Sequence, residues 1–223
     1  MDDSSLRDFT LAALANADSL ILEACLLGDN TFYARGYFLS VAAIEEVGKA
    51  AISHQSRGRN LKDPAVVKRV SFLLSDHHSK IRGAFIGFLT ADPEKNLERS
   101  IQLMIQLQQG REPSMYSELR AGERAYRPTD SVTEKNFVDC VRLAQRCRES
   151  IGHYVRNTDP PIFTASDNRL FAAKKSLADR VMNRSDFWWY WIDQQKLGER
   201  DFSKALLAYE TQFSSVGKTF KAS

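Results

Sequence analysis

Breakers are scarce in this 223-residue chain, which holds only 11 glycines and 6 prolines. So few interruptions exclude a loop-rich or collagen-like polypeptide and leave room for long helices. Cysteine is scarcer still. Cys25, Cys140 and Cys147 form no CxxC pair and no zinc-like grouping, which argues against a disulfide framework or a zinc module and fits a reducing compartment. Neither charge sign dominates: 31 Lys+Arg stand against 28 Asp+Glu, a formal net charge of +3. Bulk electrostatics therefore do not announce a nucleic-acid binder, although a local basic patch has room to form. No uncharged apolar run approaches the roughly 20 residues that a membrane span requires. The opening MDDSSLRDFT is acidic and polar rather than signal-like. A cytoplasmic protein without membrane association is the expectation.

What is present reads as helix. Hydrophobic residues make up 43% and charged residues 26%, an ordinary globular balance. Leu6, Phe9, Ala13, Ala17, Leu20, Ala24 and Leu27 recur at three- and four-residue steps and predict a first helix over 4–27, with Asn30 or Thr31 placed to cap the next. A second helix is expected over 31–55, and a third from Pro64 to about 90 with Val67, Val70, Leu74, Ile81 and Phe85 inward. A shorter helix is expected over 94–108. Residues 110–129 form the least regular stretch. Ser131-Val-Thr-Glu134 has the spacing of a capping box and should open a helix reaching about 156, where Cys140 and Cys147 share a face as small core residues. Asp159-Pro-Pro breaks the chain, and helices near 166–182, 184–196 and 200–214 follow. No strand pattern persists. The fold class is all-α: a bundle over 1–158 with a C-terminal helical extension over 159–223 packed on it.

From Tyr37 to Ile52 the ionisable side chains besides Tyr37 are Glu45, Glu46 and Lys49, set among small apolar residues. Glu45 to Lys49 is i to i+4 and Glu46 to Lys49 is i to i+3, so one ammonium can reach both carboxylates. Charges on a packed helix are costly unless paired, and two carboxylates on one cation call for a further partner. Asp76-His77-His78-Ser79-Lys80 offers one: Asp76 to Lys80 and His77 to Lys80 share a helix face, and His77 can exchange a proton near neutral pH. Taken singly, either run reads as an ordinary helix surface or boundary ion pair. Placed opposite each other they make a polar cluster. A metal site from Glu45, Glu46, Asp76 and His77 is disfavoured by the two lysines in the same cluster and by the missing Glu-x-x-His spacing. No metal or other cofactor is expected.

SVAAIEEVGKA at 40–50 followed by SDHHSK at 75–80 resembles the AbiV-type abortive-infection family, a branch of the HEPN superfamily of phage-defence and toxin ribonucleases. A looser echo runs through 123–145, and the likeness covers roughly residues 8–156. It implies a HEPN-like helical bundle, RNA as substrate, a homodimer with its site at the subunit seam, and a phage protein as a candidate trigger. Many HEPN ribonucleases carry an Arg-x(4–6)-His motif that acts without a metal. Arg148-Glu-Ser-Ile-Gly-His153 fits that spacing, although five residues of helix turn about 140° and the two side chains share a face only if the helix bends near Gly152. The implied chemistry has His77 or His153 taking the ribose 2′-OH proton, Lys49, Lys80 or Arg148 meeting the phosphate, and Glu45 and Glu46 orienting them. The rival is a non-catalytic module that captures a phage or host component. Phe187-Trp188-Trp189-Tyr190-Trp191 could stack bases, but no basic residues interleave it, so it reads first as packing. Arg57, Arg59, Lys62, Lys68 and Arg69 make a better phosphate-facing patch.

Overall fold

The computed structural model describes residues 1–91, 104, 107, 110–119, 125–172, 177–182, 184–199 and 201–221. These residues are helical apart from loops and one tiny hairpin, and they divide into two compact units, Met1–Thr164 and Ala165–Ser223. The expected helix over 94–108 lies outside the described residues, except that Met104 and Leu107 are buried.

In the first unit α1 (Asp3–Asp29) starts at an Asp2 cap, whose carboxylate accepts the Ser5 N–H at 2.8 Å. Its stripe Leu6, Ala13, Leu14, Ala17 and Ala24 is buried, and the alanines allow close approach to α2 (Tyr33–Ser56). By length and composition α1 is the one described helix apolar enough to cross a membrane. Its apolarity is shared between that packed stripe and exposed Leu11, Leu22 and Leu26. Between the two helices Thr31 adopts a positive φ and Asn30 bonds back to Leu26, so neither caps α2. The α2 helix is the hub of the unit. Its buried run from Ser40 to Ser56 is covered by α1, by α3 (Pro64–Ser75), by α4 (His77–Ala91) and by the long helix further on.

The third expected helix is in fact two. Asp76 leaves the helical region at φ −77°, ψ 122° and its carboxylate accepts the Ser79 N–H at 2.8 Å, which ends α3 and caps α4. The apolar period runs through this break, so periodicity alone does not reveal it. Beyond it, β1 (Glu118–Leu119) pairs antiparallel with β2 (Ala125–Tyr126), and α5 (Pro128–Ser131) is a single turn. The capping box falls two residues later than expected. Thr133 and Asn136 exchange bonds at the start of α6 (Glu134–Asn157), whose Cys140, Ala144, Cys147 and Ile151 join the core. Burial pushes the Cys147 thiol up to about 12, so it sits there as a small protonated core group.

One close approach positions everything that follows. A Cβ on Gly48 of α2 would collide with the carbonyl of Lys80 on α4, and one on Gly83 would meet Ile52. Only glycine lets these two helices touch backbone to backbone.

The second unit contains α7 (Ala165–Ala172), α8 (Leu177–Met182), α9 (Ser185–Lys196), α10 (Phe202–Tyr209) and a π turn at Glu210–Ser214. Its aromatic block turns inward. Phe187, Trp188 and Tyr190 are buried, with Phe187 edge-on to Tyr209 at 5.2 Å and to Phe202 at 5.6 Å. Asp186 accepts from the Tyr209 hydroxyl and the Phe220 N–H, which holds the segment around Phe220 against α9 and α10. These rings make a core, with edge-to-face geometry suited to it.

Candidate functional site

Glu45 is the centre. It lies mid-way along α2, only 5% exposed, in a helix otherwise lined there by Val41, Ala43, Ile44 and Val47. A lone carboxylate in such a place would be severely penalised, so its partners decide whether it is charged. It has three. Oε2 accepts from His77 Nδ1 at 2.8 Å and from Lys80 Nζ at 2.9 Å, and Oε1 accepts from Arg111 Nε at 2.7 Å. Burial raises the carboxyl, but the hydrogen bonds from Lys80 and His77 and the charges of Lys80 and Arg111 outweigh it and hold Glu45 below the ordinary carboxylate value.

Because Glu45 is ionised, the His77 nitrogen facing it must carry the proton. In the neutral ring that leaves Nε2 as the acceptor. His77 is half exposed and lines a cavity of about 360 Å³ with Asp76, His78 and Ile81 on the α4 side and Arg111, Glu112, Pro113 and Glu118 facing them. The arrangement is a carboxylate orienting an imidazole that lines an open cavity. Chemically, that is a proton acceptor beside a ligand space.

The other expected members go elsewhere. Lys49 does not bridge both acids: its Nζ pairs with Glu46 at 2.6 Å, while Glu45, one residue and 100° of helix away, turns toward α4. Asp76 caps α4 instead of pairing with Lys80 across a helical turn, and the Ser79 bonds overcome burial to hold its carboxyl below the usual range. Thus Glu45, His77 and Lys80 converge, whereas Glu46 and Asp76 are turned to Lys49 and Ser79 and do not complete a ligand set for a metal. Lys80 is 6% exposed and bound to Glu45, which makes it a counter-charge for that acid rather than a hand reaching into the cavity.

Arg148 and His153 are not brought together. Arg148 Nε donates to the Leu14 carbonyl at 3.2 Å and Nη2 to Asp18 at 2.7 Å, with its guanidinium lying over Gly152. His153 is exposed, and its Nδ1 lies 3.2 Å from the Asn157 amide. The helix runs unbroken through Gly152. The basic patch is also partly engaged: Arg57 is paired with Asp3 at 2.9 Å, Arg59 stacks on Phe163 at 3.7 Å, and Arg69 lies 5.0 Å from the Phe72 ring.

Arg111 escaped sequence reasoning altogether. It falls in the irregular stretch, 66 residues from Glu45, where no helical spacing points to it. The one available signal was the unbalanced charge of the Glu-Glu-Lys cluster, which called for a cation from elsewhere.

A family model for HEPN proteins of the AbiV type matches residues 5–149, more than half of the chain and all of the cluster around Glu45. Comparisons with curated proteins and with solved structures returned no match.

Proposed function

Because the chain belongs to the AbiV family of HEPN proteins, we propose that it acts in abortive infection as a metal-independent endoribonuclease in which His77 is the base and Glu45 its orienting acid. The observation that carries this reading is the 2.8 Å contact between Glu45 Oε2 and His77 Nδ1 at the edge of an open cavity. In the reaction the proton of a ribose 2′-OH passes to His77 Nε2, O2′ bonds to phosphorus, and the P–O5′ bond breaks. The 5′-oxygen takes a proton from solvent and the products are a 2′,3′-cyclic phosphate end and a 5′-hydroxyl end. Glu45 keeps the ring in the required tautomer and stabilises the imidazolium as it forms. Lys80 keeps Glu45 ionised.

The experiment is turnover of total RNA by purified protein in EDTA. His77→Asn should lower the rate about 10²-fold or more, the usual contribution of a positioned general base. His153→Ala should leave it within about twofold. Cleavage that survives His77→Asn unchanged sinks the proposal. A homodimer is also proposed, and light scattering on the purified protein tests it.

The rival reading, a binding module without catalysis, draws support from the separation of Arg148 and His153, since the superfamily's usual pair is then not assembled. Phage protection that persists in His77→Asn, with no RNA cleavage by either protein, would favour it.

A further inference from the structure

The charges around Glu45 do not close. One buried carboxylate meets two permanent cations, Lys80 and Arg111, and the buried ammonium of Lys80 alone already balances it. The charge left over belongs to Arg111, whose side chain is 19% exposed and lines the cavity next to His77. Its Nε is fixed on Glu45 at 2.7 Å, so the two Nη atoms are the part of the guanidinium that the cavity can use.

Arg111 is also held still. Its N–H bonds to the Leu107 carbonyl at 3.2 Å, and Leu107 is buried in the core. The Ser114 hydroxyl donates to the Arg111 carbonyl at 2.6 Å, and the guanidinium lies 5.4 Å from the Phe38 ring on α2. A planar fork fixed at one nitrogen and pointed at a cavity is the geometry with which arginine receives an oxyanion.

We propose that Arg111 is the anion-binding residue of this cavity and holds the phosphodiester whose neighbouring ribose hydroxyl faces His77. The proposal rests on the nuclease reading for its choice of ligand, a polynucleotide phosphate. With one phosphate bound, the set Glu45, Lys80, Arg111 and phosphate is neutral. Three carboxylates on the lining, Asp76, Glu112 and Glu118, oppose an anion there. Asp76 is committed to capping α4, Glu118 is engaged within the protein, and Glu112 is exposed to solvent that screens it. His78, also on the lining, has a contact of its own within the protein.

The test separates binding from turnover. A mixed-sequence oligonucleotide with every ribose 2′-O-methylated cannot be cleaved by this route, and its binding to the full chain is measured by fluorescence anisotropy over a salt series. Arg111→Gln should weaken binding by about tenfold or more and reduce the slope of log K against log salt by about one, as loss of one phosphate contact does. Arg111→Lys should restore the slope while recovering only part of the affinity. Glu112→Gln, at an exposed side chain, should tighten binding. His153→Ala, exposed and outside the cavity, should bind like the wild type. Absence of binding by the wild type, or Arg111→Gln binding with unchanged affinity and slope, overturns the proposal. If Arg111→Gln fails to fold, Arg111→Lys and Glu112→Gln decide, and wild-type behaviour in both overturns it as well. Should His77→Asn cleave RNA normally while Arg111→Gln loses binding, the base assignment falls and the anion site stands.

Discussion

Replacing Glu45 by Gln tests the energetic core of the site without reference to RNA. The substitution keeps the size of the side chain and removes its charge, so the Lys80 ammonium, 6% exposed, loses the carboxylate it is paired with. Removing one member of a buried ion pair typically costs 3–5 kcal/mol, because the orphaned charge remains desolvated. Here Oε1 of the amide can still accept from Arg111 or Lys80, so we place the loss near the lower limit, about 3 kcal/mol. For a chain of this size that is a fall of roughly 6–12 °C in melting temperature. The companion variant Lys80→Met removes the ammonium as well, and a pair replaced by groups of similar volume is often neutral. Glu45→Gln/Lys80→Met should therefore recover at least half of the loss. Differential scanning calorimetry and urea denaturation of the four proteins form the assay, read as a double-mutant cycle. A Glu45→Gln protein within 1 kcal/mol of wild type, or a double variant less stable than the sum of the two singles, would refute the claim that these groups form a desolvated pair.

Acid should reveal the same carboxylate. Its folded value lies below the ordinary one, so its stabilisation is complete above about pH 4.5 and is lost as pH falls through the folded value; the acid limb of a stability–pH curve should be shallower in Glu45→Gln. His54 should act in the range above. It is 1% exposed, packed edge-on to Tyr154 at 5.2 Å, and held low by burial and by Arg57. Stability should therefore begin to fall as pH drops below about 6.5, and His54→Phe should lessen that fall in pH-dependent urea melts. Gly48→Ala should destabilise by about 1–3 kcal/mol, the usual cost of overpacking, because α2 and α4 must separate; retained stability would show that α4 can shift freely. Asp76→Ala should cost about 1 kcal/mol through loss of the α4 cap, measurable by the same denaturation.

The sequence made parts of this site visible for a definite reason. Glu45, Glu46 and Lys49 stand out because everything around them on α2 is small and apolar, and His77 and Lys80 share a face because three residues nearly complete a turn. Pairing across helices was harder to read. Local spacing favoured Lys49 as the partner of both acids, but a cation from α4 and another from the 110–119 segment serve Glu45, which leaves Lys49 to Glu46 alone. Arg111 could not be placed by any period, since its position depends on how an irregular stretch returns to α2. The break at Asp76 was hidden for the opposite reason: the apolar repeat continues on both sides of it, and only the short Asp-x-x-Ser spacing marks the cap. The Arg148 and His153 spacing matched a family pattern, yet the rotation between them, already large on a straight helix, was not relieved at Gly152.

Helices separated by interlocking side chains can slide, because rotamers adjust as the axes move. Between α2 and α4 at Gly48 no such cushion exists; main chain rests on main chain. Glu45 and His77 therefore ride on what is mechanically one piece, and their spacing is insulated from whatever enters the cavity. Any widening of that cavity to admit or release a ligand must therefore come from a part of its wall other than the one Glu45 and His77 hold.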